Sequence, residues 1–356
     1  MTMIGIRLTT AVQPYRGATL MAALLANALA QKGASIELIA KGKGPLPLPL
    51  DADVKLLRTV DEEKTLRLRL QENPPRSLLA FGGGGKRLAA ALRPQVSKST
   101  LFCARFDNAC LLPLARRPLA LFFAKRRLHR LFPLDLWLAI SQGLKEELEA
   151  LGGPPVVAIP NPIDLEKAIS LSQESPAHPW LAEKTCPAIL GAGALIPQKD
   201  FSTLLRAFAI ARRVRPLRLL ILGDGPLASR LKSQAFALGI EKDMHLAGFV
   251  PQPFGWMRQA DVFVLSSRFE GFGNVLLEAL AAQGNCVATR CPHGPEEILE
   301  GGRLGRLVPV GNEKALAQAI LEAVDAPKRL EDPRSALASY EAQAIAQRYL
   351  EAMGMR

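Results

Sequence analysis

The chain is poor in the residues that announce metal, disulfide or nucleic-acid chemistry. It holds five cysteines and four histidines in 356 residues. The cysteines (Cys103, Cys110, Cys186, Cys286 and Cys291) are odd in number, scattered and never spaced C-x-x-C. That excludes a disulfide framework and a structural zinc site, and leaves reduced thiols as the expectation. Aromatic residues make up only 6% and no nucleic-acid-binding motif accompanies them, so no nucleic-acid partner is expected. No apolar run reaches the ~18 residues needed to span a bilayer. The start, MTMIGIRLTT, lacks the basic stretch, apolar core and cleavage site of a secretory leader. These absences lead us to expect a cytoplasmic protein.

What is present is ordinary globular material with one asymmetry. Hydrophobic residues are 49% and charged residues 22%, enough for real cores, and the length suits two domains of roughly 100–200 residues. The formal net charge is +12, and it is uneven. Residues 1–165 carry 23 Lys+Arg against 13 Asp+Glu, whereas the remainder carries 22 against 20. An anionic partner for the first half follows: a membrane surface or a phosphorylated substrate.

The patterning predicts two runs of alternating strand and helix. Strands are expected at Ile4–Leu8, Ile36–Ala40, Ser77–Phe81, Ser99–Phe102, Leu136–Ile140 and Val156–Ile159, with a helix over Leu20–Ala30 capped near Gly33. Residues 166–187 lack a period and read as a linker. A second alternation starts at Ala188–Ala192 and continues through Phe201–Val214, Leu217–Leu222, Val262–Ser266 and Cys286–Thr289 to a final helix, Ser335–Met353. The expected class is α/β: two doubly wound, Rossmann-like domains, 1–165 and 188–334, facing across a cleft, with residues 335–356 crossing back to the first.

The densest chemistry lies in Arg268-Phe269-Glu270-Gly271-Phe272-Gly273-Asn274-Val275-Leu276-Leu277-Glu278, which follows the strand DVFVLSS and opens a helix. Two glutamates stand eight positions apart, one in a glycine-bearing turn and one inside the helix. The glycines allow close backbone approach to a ligand, and a carboxylate here suits sugar or ribose hydroxyls. On the residues alone, an ordinary capped loop-to-helix turn is the alternative.

This segment resembles the E-x7-E signature of the retaining, nucleotide-sugar-dependent glycosyltransferases of family 4, which have the GT-B fold. The resemblance extends to Gly193-Ala194-Leu195-Ile196-Pro197-Gln198-Lys199-Asp200-Phe201, Leu222-Gly223-Asp224-Gly225-Pro226, Leu246-Ala247-Gly248-Phe249-Val250, Gly294-Pro295-Glu296-Glu297, Gly305-Arg306-Leu307-Val308-Pro309 and Asn161-Pro162-Ile163-Asp164. It is dense over residues 136–325 and weak over 1–135. The resemblance implies a nucleoside-diphosphate-sugar donor and a glycan or lipid-linked acceptor, with no metal or other cofactor. Glu278 would hold the donor ribose. Glu270 would contact the transferred sugar, helped by the backbone of Gly271, Phe272, Gly273 and Asn274. Lys199, beside Gly193, would neutralise the diphosphate. Phe249 and Val250 would meet the base.

Two departures stand out. Family members carry arginine where this chain has Ala194, a loss of about 2–4 kcal/mol of leaving-group stabilisation if nothing compensates. Either another basic residue fills in, Arg16 being one choice, or the enzyme is slow, or the chain is a catalytically silent relative acting as a scaffold or partner subunit. The loop Gln13–Leu20 keeps only Gly17 of two expected glycines; Arg16 and Gly17 are retained as diphosphate contacts. A nucleotide-sugar epimerase shares the fold, but its His and carboxylate sets are missing.

The first half carries weaker signals. Arg105 and Asp107 follow the strand STLFC, where acceptor-side residues sit in this fold, and His293 lies in a loop that approaches the donor in relatives. His129 stands in Lys125–Arg130 and reads as part of a solvated basic face. Residues Arg116–Arg130 interleave bases with Leu119, Leu121, Phe122, Phe123 and Leu128. That pattern suits a helix lying on the inner membrane surface, or one packed on its domain with a basic outer face. Gly82–Gly85 lacks the G-x-x-x-x-G-K-[ST] pattern of a phosphate loop and is expected to be a flexible turn or an opening for the acceptor.

Overall fold

A computed structural model describes residues 4–11, 17–42, 44–108, 111, 118–176, 178–183 and 185–355. The chain divides into two units, Met1–Pro162 with Ser339–Arg356, and Ile163–Ala338.

The first unit runs β1 (Ile4–Ala11), α1 (Gly17–Gln31), β2 (Ala34–Lys41), β3 (Val54–Thr59), α2 (Glu62–Glu72), β4 (Ser77–Ala80), α3 (Gly82–Leu92), β5 (Leu101–Phe106), α4 (Pro118–His129), β6 (Leu136–Ala139), α5 (Gln142–Glu149) and β7 (Val156–Ala158). Its seven strands pair in parallel in the order β3-β2-β1-β4-β5-β6-β7. The second unit holds α6 (Leu165–Ser172), α7 (Pro179–Ala182), β8 (Ala188–Ala192), α8 (Phe201–Val214), β9 (Arg218–Leu222), α9 (Ala228–Ala237), β10 (Met244–Gly248), α10 (Phe254–Gln259), β11 (Val262–Leu265), α11 (Asn274–Ala281), β12 (Cys286–Thr289), α12 (Pro295–Ile298), β13 (Arg306–Val308), α13 (Glu313–Asp325) and α14 (Pro333–Ala336). Its six parallel strands are ordered β10-β9-β8-β11-β12-β13. Strands such as Ala188–Ala192 and Val262–Leu265 are buried throughout. Helices cover both faces of an all-parallel sheet, so its strands read as continuous apolar runs.

The final helix α15 (Ala342–Ala352) belongs to the first unit. Its Ile345, Ala346, Tyr349 and Leu350 share one core with Leu25 and Leu29 of α1 and Ile6 and Leu8 of β1. It is shorter than the expected Ser335–Met353, because Pro333 starts a separate short helix. Residues 166–187, expected as a linker, carry α6 and α7 within the second unit, with Leu165, Ala168 and Leu181 buried.

Three features of the first unit differ from the sequence expectation. β3 and α2 were not anticipated: the LRLRL run of α2 alternates like a strand, yet only Leu66 and Leu70, four apart, are buried. Helix α2 brings Arg69 to Glu37 of β2, which also takes Arg7 Nε of β1 at 2.5 Å. Burial pushes the Glu37 carboxyl up, but the hydrogen bonds and charges of Arg69 and Arg7 outweigh it and hold the pKa below its ordinary value. The glycine run is not a turn but the start of α3. A Cβ on Gly85 would lie 2.8 Å from Thr9 Oγ1, so the helix can rest on β1 only with glycine there. In α4 only Leu128 is buried, while Leu119, Phe122 and Phe123 are exposed.

Candidate functional site

In a doubly wound sheet the strand order reverses at one point, and ligands bind beyond the carboxyl ends of the strands there. In the second unit that point lies between β8 and β11. Every site residue expected in this half follows a strand end or opens the helix after it: Gly193–Lys199 after β8, Phe249 and Val250 after β10, Glu270–Glu278 after β11, and His293 after β12.

The loop after β8 is held to β9. Gly193 N donates to Leu222 O at 2.9 Å and Leu195 N to Asp224 O at 2.9 Å. Gly223 and Gly225 make this closeness possible, since a Cβ on Gly223 would lie 2.0 Å from Gly193 O. The Lys199 side chain lies across Gly193, whose missing Cβ would be 3.2 Å from Lys199 Cε. Lys199 Nζ then reaches Glu270 Oε1 at 2.6 Å. Ser267 Oγ donates to the same oxygen at 2.5 Å, and Gln198 Nε2 holds the Phe269 carbonyl at 3.0 Å. Gln198 Nε2 also lies 3.5 Å from Glu270 Oε2; Glu270 is 5% exposed, so three side-chain donors fix a buried carboxylate in one position. Asp200 caps α8 from a left-handed conformation, φ 45°, and its Oδ2 takes Thr203 Oγ1 at 2.9 Å and Arg268 Nε at 3.0 Å.

Glu278 is different. It projects from α11, a helix opened by Gly273 at φ 102°. The residue is half-buried, and no hydrogen bond or ion pair reaches its carboxyl among the described residues. Burial pushes its pKa up to about 7, with the Lys199 charge pulling it down. Lys199 therefore stands between two carboxylates, one satisfied and one waiting for a donor.

The loop after β12 closes on this turn. Glu270 N donates to Pro292 O at 3.2 Å. A Cβ on Gly294 would lie 1.7 Å from Phe272 O, so only glycine allows the contact. His293 takes φ 66°, one of four non-glycine positive-φ residues in the described chain, and Asp200 is another. Both strained positions flank Glu270. On the base side, Phe249 is 48% exposed and its N–H donates to Asp224 Oδ2 at 3.1 Å.

Elsewhere the structure places the residues differently from the sequence expectation. Arg105 does not follow its strand; it lies inside β5, 1% exposed. Its guanidinium is spent on Tyr349 Oη at 2.8 Å, on Asp107 and on Asn161. It ties α15 to the sheet, and the partly exposed Asp107 is its counter-ion. Gly17 begins α1, and Arg16 lies outside the described residues. Ala194 is exposed at its loop. Cys103, Cys286 and Cys291 are buried free thiols that burial pushes up to about 12, inert by that measure. Among the described residues no three His, Cys, Asp or Glu side chains gather as a metal site, and no helix is long and apolar enough to cross a membrane. Sequence reasoning missed Ser267 and Gln198; the only signal was that each stands within three positions of a singled-out residue.

Residues 186–326 match the family described as Glycosyl transferases group 1. The chain is 33% identical over 189 residues to the N-acetylgalactosamine-N,N'-diacetylbacillosaminyl-diphospho-undecaprenol 4-alpha-N-acetylgalactosaminyltransferase of Campylobacter jejuni, covering 52% of this chain and 50% of that one. It is 33% identical over 138 residues to the lipopolysaccharide core biosynthesis glycosyltransferase LpsE of Rhizobium meliloti, covering 39% of each. It thus spans about half or less of the curated relatives it matches. Anabaena Alr3699/HepE, solved in complex with UDP, shares the fold at a TM-score of 0.77 and 19% identity, covering 99% of this chain and 100% of that one. Two parallel α/β units and the likeness to solved structures give the chain the GT-B fold. The match to the group 1 glycosyl transferases lies within the second unit.

Proposed function

We propose that the chain is a retaining glycosyltransferase that moves a hexose from a nucleoside-diphosphate sugar to a hydroxyl of a glycan or lipid-linked acceptor. Cell-surface polysaccharide or lipopolysaccharide synthesis is the setting, on the inner face of the membrane, without a metal. The observation that carries the reading is the Lys199–Glu270–Glu278 arrangement at the switch point of the second sheet. An unpartnered, desolvated carboxylate beside a fixed cation suits a ligand that brings hydroxyls and negative charge together, as a nucleoside diphosphate does. Glu278 would accept from the ribose hydroxyls. Lys199 would turn from Glu270 towards the diphosphate, where charge develops as the bond from the sugar's anomeric carbon to the phosphate oxygen breaks. Glu270, still held by Ser267, would then be free to contact the sugar. The acceptor oxygen bonds to the same face of the anomeric carbon, and its proton leaves with the diphosphate.

Support for the acceptor class comes from the relatives' names, one of which describes a sugar on diphospho-undecaprenol and another lipopolysaccharide core synthesis. A second reading, a silent relative that serves as a scaffold, is favoured by one observation: the exposed Ala194, where a second cation would be expected. Thermal unfolding with UDP, GDP, ADP and their sugar conjugates tests the choice, since a ligand bound only by the folded state stabilises it by RT ln(1 + [L]/Kd). A shift with one nucleotide supports transfer. No shift with any at millimolar concentration makes the silent reading the better one.

A further inference from the structure

In the second unit, the segment before β8 braces both elements that carry the base-side loop, residues 249–253: β10 leads into that loop and α10 leaves it. Residues 174–176 rest on α10. A Cβ on Gly255 would lie 2.0 Å from Glu174 O, and Gln259 Nε2 donates to Ser175 Oγ at 2.8 Å. His178 follows. Its ring centre stands 5.5 Å from that of Trp256 on α10 and 5.2 Å from that of His245 on β10. The same ring caps α7: Nδ1 accepts the Trp180 N–H at 3.3 Å. That bond needs a lone pair on Nδ1, hence a neutral imidazole. A proton there would set donor against donor. The surrounding charges oppose it too. β10 presents the exposed His245, and β9 presents Arg218, stacked over Trp180 and paired with Asp243. α10 presents Trp256, its Arg258 being engaged by Gln283, while Glu174 and Glu183 of the same segment are exposed. Burial, then the His245 charge, hold the His178 pKa below its ordinary 6.5. The unfolded chain takes this proton at about 6.5 and the folded chain only at lower pH. The neutral cap therefore contributes in full above 6.5 and is lost as pH falls through the lower value.

We propose that His178 is a proton-operated brace for the base-side loop: protonating its ring uncaps α7, drives it from His245 and Trp256, and frees β10 and α10 to shift the loop at 249–253. The brace stands on the packing of the second unit. Its consequence, a weaker hold on the donor nucleotide in acid, rests on the transferase reading.

Hydrogen exchange of the full chain, read by mass spectrometry from about pH 8 down to about pH 5, tests the brace without any ligand. Wild type and His178→Asn are compared at each pH, so the intrinsic pH dependence of exchange cancels. Asn keeps a capping acceptor and does not titrate. In the wild type the amides of Trp180 and of Phe249, which donates to Asp224 Oδ2 at 3.1 Å, should lose protection by up to about tenfold per pH unit once His178 protonates. The variant should keep that protection, and the buried strand β11 should stay unchanged in both. His245→Asn removes the opposing charge, so the wild-type loss should move to higher pH. Equal protection in wild type and His178→Asn, or no movement in His245→Asn, overturns the brace. Loss at Trp180 but not at Phe249 overturns its coupling to the loop. Calorimetry with UDP, GDP and ADP then reads the consequence: affinity should fall more steeply in acid for the wild type than for His178→Asn, the Glu278 contribution being common to both. Parallel affinity profiles, with the protection losses present, overturn the effect on the nucleotide. Protection losses in a chain that binds no nucleotide at any pH sink the transferase reading and leave the brace standing.

Discussion

Glu278→Gln separates what the donor site costs the fold from what it does for the ligand. In the folded chain burial pushes the Glu278 carboxyl up to about 7 against the pull of Lys199, and its ordinary value is 4.5. Because the folded value is the higher one, the charged form is a burden on the folded state. Below about pH 4.5 both states hold the proton and the burden is absent; it grows between 4.5 and 7 and is complete above 7. At about 1.4 kcal/mol per pH unit the gap corresponds to about 3 kcal/mol. Gln keeps the shape without the charge. It should therefore stabilise the second unit by up to about 3 kcal/mol near pH 8, roughly 6–12 °C for a unit of this size, and by little near pH 4.5. The same change leaves one neutral carbonyl oxygen where two carboxylate oxygens stood, so one of two ribose hydrogen bonds, each worth roughly 1.5–3 kcal/mol when the acceptor is charged, is lost and nucleotide affinity should fall by at least about tenfold. Scanning calorimetry across pH, with and without the nucleotide, reads both effects. No gain in stability near pH 8 refutes the desolvated carboxylate. A gain with undiminished nucleotide affinity refutes its role in the ligand site.

The other predictions follow from the same contacts. In the wild type, ribose donors favour the ionised Glu278, so nucleotide binding releases a proton and should tighten as pH rises towards about 7; calorimetry in buffers of different ionisation enthalpy detects that proton. Ser267→Ala removes the 2.5 Å hydrogen bond on Glu270 and should lower kcat by roughly tenfold with nucleotide affinity nearly unchanged; a loss confined to affinity would assign Ser267 elsewhere. Arg105→Ala strands Asp107 and the Tyr349 hydroxyl in the first unit. It should cost roughly 3 kcal/mol or more, loosen α15 to hydrogen exchange, and leave nucleotide binding intact. Ala194→Arg adds a cation at an exposed loop position without packing strain, and turnover should rise by about tenfold or more; no gain would mean that another group already does the work.

Much of the second unit was legible because its constraints are local and steric. Gly193, Gly223 and Gly294 each stand where a Cβ would press on a neighbour, so the pattern of glycines around short buried strands records the close approach of loops at the switch point. Lys199, Glu270 and Glu278 sit at fixed offsets from those glycines, and it was the resemblance of these motifs to a known family, beyond their spacing, that brought the three together. Ser267 and Gln198 escaped notice because hydroxyl and amide side chains are common in loops, and only coordinates show that both donate to the Glu270 turn.

The first unit shows the opposite case. Arg105 looked like a residue waiting at the end of a strand, yet its partners lie 244 and 56 positions away, Tyr349 and Asn161. Glu37 draws on Arg7 and Arg69, 30 and 32 positions away. In both, a charge that reads as surface is buried and hydrogen-bonded inside by chain that returns from far along the sequence. Arg87 and Arg127 invert this again. They are 40 positions apart and look like two more members of a basic surface, but the fold sets both beside Gly83, and among the described residues neither has a counter-ion. The +10 excess of the first 165 residues is therefore not one property. Arg105, Arg7 and Arg69 are consumed by the fold; Arg87 and Arg127 have no ion-pair partner among the described residues. Net charge is a single sum over the chain, and only the fold separates the paired from the unpaired cations among the described residues.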